Sequence, residues 1–101
     1  EDSAARIVKQ AEKLEAAGCY AIVLEFMAHE TASRITEQVG IPTIGIGAGS
    51  ACDGQVLVSS DMLGQYESVP SYVRKYADIH GATTQAAIQY RDEVKKRTFP
   101  G

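Results

Sequence analysis

Apolar positions recur at helical spacing from the first residues onward. Ala4, Ile7, Val8, Ala11, Leu14 and Ala17 fall on one stripe, which predicts a helix over residues 3–17. Ser3 is placed to cap it and Gly18 to stop it. The pattern then changes to the near-continuous run "CYAIVLE", residues 19–25, which reads as a buried strand. A second helix is predicted from about His29 to Val39, with Gly40 behind it, and "IPTIGIG", residues 41–47, is the next strand. Helix and apolar strand alternating over short connections predict parallel α/β architecture.

After "AGSACDG" the apolar segment "QVLVS", residues 55–59, reads as a third strand. Its direction stays open. A parallel crossover normally takes about a dozen residues, whereas Asp53-Gly54 could turn a hairpin. "SSDMLGQYESVP" reads as a loop or short helix. Helices are predicted over about Pro70–Ile79 and Thr83–Lys96, the last capped by Thr83 or Thr84, with lysines near its C-terminal end favouring the helix dipole. No internal repeat is present.

Strand phase suggests more. In the first strand Ala21, Val23 and Glu25 share one face, and Tyr20, Ile22 and Leu24 the other. In the second, Thr43, Gly45 and Gly47 oppose Ile44 and Ile46. Large apolar faces suit packing against helices, and small ones suit the crowded interior of a barrel. Three strands do not close a sheet. The chain also starts without an initiator Met and enters a helix almost at once. Both features point to part of a larger barrel or doubly wound sheet.

Composition narrows the function classes. The 101 residues carry 45% apolar and 23% charged side chains and a formal charge of −3. That balance argues against nucleic-acid or anionic-membrane partners. No apolar run approaches the roughly 18 residues of a membrane span, and no signal peptide is evident. Cys19 and Cys52 make no CxxC pair, so a reducing cytoplasm is the expected compartment.

Candidate chemistry centres on Glu25. A carboxylate closes an otherwise apolar run, and a charge placed there needs a partner, a metal or a task. At the C-terminal end of a barrel strand it would lie where (β/α)₈ enzymes carry their active sites. The structural alternative is an ion pair with Arg or Lys. Gly45, Gly47 and Gly49 invite a phosphate-loop reading, but GxGxxG fails in both registers, and Gln55 stands where the Walker pattern needs Lys. Close backbone approach at a sheet end is the better reading. "HETAS" misses HExxH, because Ser33 replaces the second His, and His80 falls in a predicted loop. No metal site is expected from this chain alone. Asp53 and Asp61 suit turn or cap roles, and Cys52 has no adjacent base.

"EAAGCYAIVLEFMAHETASRIT", "IPTIGIGAGSACDGQVLV" and "FPG" near the end resemble the 3-methyl-2-oxobutanoate (ketopantoate) hydroxymethyltransferase family. The resemblance covers nearly the whole chain and fits the C-terminal part of that enzyme. It implies that residues 1–101 are one partial domain, about strands six to eight of a (β/α)₈ TIM barrel, and that "QVLV" follows a short crossover. It implies hydroxymethyl transfer from 5,10-methylenetetrahydrofolate to 3-methyl-2-oxobutanoate, on the pantothenate and coenzyme A pathway. Mg²⁺ is implied, with ligands in the N-terminal part that this chain lacks, so that these residues alone would be inactive. The family's general-base Glu maps to Glu25, with Leu24, Phe26 and Met27 expected to limit its hydration. The segment Gly45, Ile46, Gly47, Ala48 and Gly49 maps to the substrate end of the barrel. Homo-oligomers, commonly decamers, are implied. The alternative from another class is a non-catalytic half-barrel that self-associates.

Overall fold

The computed structural model describes residues 3–101. Its elements are α1 (Ser3–Ala16), β1 (Ile22–Glu25), α2 (His29–Gln38), β2 (Thr43–Ile46), β3 (Gly54–Gln55), α3 (Ser59–Met62) and α4 (Ile79–Lys96). They divide into two compact units, one ending at Leu57 and one running from Val58 to Gly101.

The first unit is a parallel three-stranded sheet in the order β1-β2-β3. Gly18 ends α1 as expected. At φ +105 it carries the chain into the reversed turn, and the N–H groups of Gly18 and Cys19 bond the carbonyls of Glu15 and Leu14. The Glu15 carboxylate then accepts the Gly40 N–H at 2.8 Å, tying the end of α1 to the stop of α2.

β1 alternates strictly. Ile22 and Leu24 are buried, while Val23 and Glu25 are exposed. The buried pair meets Val8 and Ala11 of α1, Ala32 and Ile35 of α2, and Val39 and Ala48. Both helices therefore cover one face of the sheet. The strand is shorter than the apolar run, and Tyr20, expected on the packed face, is 89% exposed. It precedes the first ladder bond, donated by Ile22 N–H to the Pro42 carbonyl.

In β2 the expected faces are exchanged. The register sets Thr43 beside Ile22 and Gly45 beside Leu24, so Thr43 and Gly45 lie on the helix side. Ile44 and Ile46 lie on the other side, with Val23 and Glu25. The cause is the connection to β3. Residues 47–53 double back over the helix side of β2 without forming a helix, and they leave no room there for a large side chain. A methyl group on Gly45 would stand 2.9 Å from the Cys52 sulfur.

The β2–β3 pairing is parallel, so the Asp53-Gly54 hairpin is excluded. Asp53 instead closes a polar clip. Its Oδ2 accepts the Thr43 N–H at 2.9 Å, and its own N–H donates to Thr43 Oγ1 at 3.2 Å. Thr43 Oγ1 lies 2.9 Å from Thr36 Oγ1, whose hydroxyl also reaches the Ala32 carbonyl at 2.8 Å. β3 covers only Gly54–Gln55 of the predicted "QVLVS" strand. Val56 still donates to the Gly45 carbonyl, but beyond it Val58 is 51% exposed, without a further ladder partner among the described residues.

In the second unit the helix predicted over Pro70–Ile79 does not form. Residues 71–78 hold turns and bends, and the N–H groups of Tyr76, Ile79 and His80 bond the carbonyls of Met62, Leu63 and Gly64. Those donors are therefore not available to the preceding turn of a helix. α4 begins at Ile79, not Thr83, because Asp78 caps it by accepting the Gly81 N–H at 2.9 Å. His80 consequently lies in the first turn of α4 and not in a loop. Lys95 and Lys96 occupy its last turn, as the dipole argument anticipated. No described helix is long and apolar enough to cross a membrane.

Candidate functional site

The C-terminal ends of β1 and β2 bring the sequence candidates to one edge of the first unit. Glu25 is the last residue of β1 and pairs with Ile46, the last residue of β2. The residue after β2 is Gly47, so the carboxylate-bearing strand end and the glycine turn adjoin. Two bonds hold them together: Phe26 N–H to the Ile46 carbonyl at 2.8 Å, and Met27 N–H to the Gly47 carbonyl at 3.2 Å.

Glu25 is exposed on the face away from the helices. Among the described residues no ion pair or side-chain hydrogen bond engages its carboxylate. The poorly hydrated surroundings expected from its neighbours are not supplied here. Leu24 points into the opposite core, and Phe26 is 70% exposed. Phe26 adopts φ +49, an uncommon left-handed conformation for a bulky residue. Such strain persists only where the surroundings impose it, and it concentrates at functional sites. Here it turns the chain from β1 toward α2 within the three residues after Glu25.

The glycine segment splits by environment. Gly45 is buried beneath Cys52, and Ala48 is fully buried in the helix-side core. Ile46 is buried on the Glu25 side of the sheet. Gly47 and Gly49 form the turn itself, at φ +67 and +86, values that glycine adopts without penalty.

Two residues around this turn were not anticipated. His29, read in the sequence as a helix-start residue and only weakly as a metal ligand, lays its ring against Gly49, where a methyl group would come within 2.7 Å of Cγ. Gln55, noticed only for breaking the Walker pattern, donates from Nε2 to the Gly49 carbonyl at 2.8 Å. An amide side chain in a strand that is otherwise apolar was the available signal for Gln55. His29 carried none beyond its position at the start of α2.

No group of three or more His, Cys, Asp or Glu among the described residues could hold a metal ion. What the arrangement offers is a carboxylate without a partner among the described residues, at a strand end beside a half-buried glycine turn.

A sequence model described as ketopantoate hydroxymethyltransferase matches residues 1–101. The chain belongs to the ketopantoate hydroxymethyltransferase family. It is 52% identical to the 3-methyl-2-oxobutanoate hydroxymethyltransferase of Novosphingobium aromaticivorans over 101 residues, which are 100% of this chain and 35% of the relative. It is 51% identical to the enzyme of that name from Thermococcus kodakarensis over 99% of this chain and 35% of the relative. Identity to that of Trichlorobacter lovleyi is 53%, over 98% of this chain and 38% of the relative. The chain thus spans little more than a third of the length of these hydroxymethyltransferases.

Proposed function

We propose that this chain is the C-terminal part of a ketopantoate hydroxymethyltransferase barrel, about strands six to eight. In that reading β1, β2 and β3 are consecutive barrel strands, and Val23, Ile44, Glu25 and Ile46 face the interior. The parallel order and the packing of α1 and α2 against the opposite face support it. The whole protein transfers a hydroxymethyl group from 5,10-methylenetetrahydrofolate to 3-methyl-2-oxobutanoate in the pantothenate pathway. It assembles as a homo-oligomer in the cytoplasm.

The observation that carries the site is the Glu25 carboxylate, without a partner among the described residues, at the C-terminal strand end, the end at which barrel enzymes work. Its role is general base. It removes the proton from C3 of the 2-oxo acid, and the C–H electron pair moves toward the adjacent carbonyl as the enolate forms. The described residues do not fit a Mg²⁺ site. The ion's ligands lie in the part of the enzyme outside this chain. In the closed barrel the residues outside this chain would also supply the water exclusion that Leu24, Phe26 and Met27 do not.

The test is hydrogen–deuterium exchange at C3 of 3-methyl-2-oxobutanoate by the full-length enzyme without folate, which isolates proton removal. Glu25→Gln keeps the size and removes the base. Exchange should fall by about 10²- to 10⁴-fold, the usual scale for general-base loss. Exchange at the parent rate would leave Glu25 a structural role. Parent and variant alike inactive would overturn the hydroxymethyltransferase reading.

A further inference from the structure

Gly49 is held from two sides. The His29 ring packs against its Cα, and the Gln55 amide bonds its carbonyl at 2.8 Å. The turn needs such holding. Gly47 and Gly49 both sit at positive φ, and glycine gives up more conformational freedom on ordering than any other residue. Ala48 anchors the middle of the turn by its burial in the core. The carbonyl of Gly49 has no such anchor and relies on Gln55. The register explains how Gln55 reaches it: Gln55 pairs with Gly45, on the side over which residues 47–53 double back. Because Gly45 has no side chain, the amide passes close beside it, where a methyl group would stand 3.3 Å from Nε2.

From this we infer that Gln55 is a positioning residue for the substrate-side turn, holding Gly47–Gly49 in its binding conformation before substrate arrives. This rests on the reading that the turn lines the substrate end of the barrel. The bond makes no contact with Glu25. Its loss therefore burdens substrate binding, which must then order the turn, and leaves proton removal alone.

The experiment uses the full-length enzyme and 3-methyl-2-oxobutanoate. Gln55→Met keeps the length and removes the donor. KM should rise about tenfold, the scale of one lost hydrogen bond, with kcat within about twofold of the parent and little change in melting temperature. Gln55→Lys restores a donor at similar reach and should return KM toward the parent value. Gly47→Val, which blocks the turn directly, tests the underlying reading. If Gly47→Val raises KM and Gln55→Met does not, the positioning role is overturned and the substrate-side turn stands. If neither changes KM, the substrate-side reading falls and the positioning role falls with it. If Gln55→Met lowers kcat and melting temperature together without separating KM, the amide is structural and the inference is overturned.

Discussion

Replacing Gly45 by Ala tests the crossover that sets the geometry of the first unit. Two effects oppose each other. Gly45 does not have positive φ, so alanine in this strand should gain about 0.5–1 kcal/mol from reduced freedom of the unfolded chain. Against that, the new methyl would lie 2.9 Å from Cys52 Sγ, 3.3 Å from Cys52 Cβ and 3.3 Å from Gln55 Nε2. Overpacking of this kind costs about 1–3 kcal/mol. Cys52 is only partly buried, but it packs against the core, which opposes its withdrawal. We therefore expect a net loss of about 1 kcal/mol or slightly more. Cys52→Ala removes the closest atom. The double variant Gly45→Ala/Cys52→Ala should thus be more stable than the sum of the two single changes predicts, by about 1 kcal/mol. Urea unfolding of the full-length enzyme and the three variants completes the cycle. Coupling below about 0.5 kcal/mol, the limit for independent sites, would refute the close passage of Cys52 over Gly45. So would a Gly45→Ala protein more stable than the parent.

Asp53→Ala removes the acceptor for the N–H of Thr43, a residue with 0% exposure, and should cost about 1–3 kcal/mol in the same unfolding assay. Asp53→Asn can still accept through Oδ1 and should retain most of that stability; equal losses in the two variants would show that the clip does not act through this bond. In the second unit Gly64 sits at φ +66, and a methyl group there would collide with the Ala77 carbonyl oxygen. Gly64→Ala should therefore loosen the bond from His80 N–H to the Gly64 carbonyl, seen as faster amide exchange at His80, and unchanged protection would contradict the placement of residues 76–80.

The alternation of periods along the chain was enough for α1, β1, α2 and β2. In each, hydrophobic spacing and a nearby glycine act locally, and the same residues that define the pattern make the core: Val8, Ala11, Ile22, Leu24 and Ile35. Glu25 was legible for the same reason, since a carboxylate ending an apolar run is anomalous in the sequence alone. The start of α4 was not legible: the periodicity points to Thr83 or Thr84 as the cap, whereas Asp78 caps the helix. Tertiary structure decided what local pattern cannot reach. Which face of β2 meets the helices depends on its register with β1 and on where residues 47–53 return, so Ile44 and Ile46 turned to the opposite side from that expected. The segment after Pro70 failed as a helix because carbonyls at 62–64, several residues distant, took its N–H groups. The grip of His29 and Gln55 on Gly49 joins α2, the crossover and β3. Each partner is ordinary in its own stretch of chain, and only the folding of a parallel sheet, which brings strand ends distant in sequence to one edge, puts them in contact.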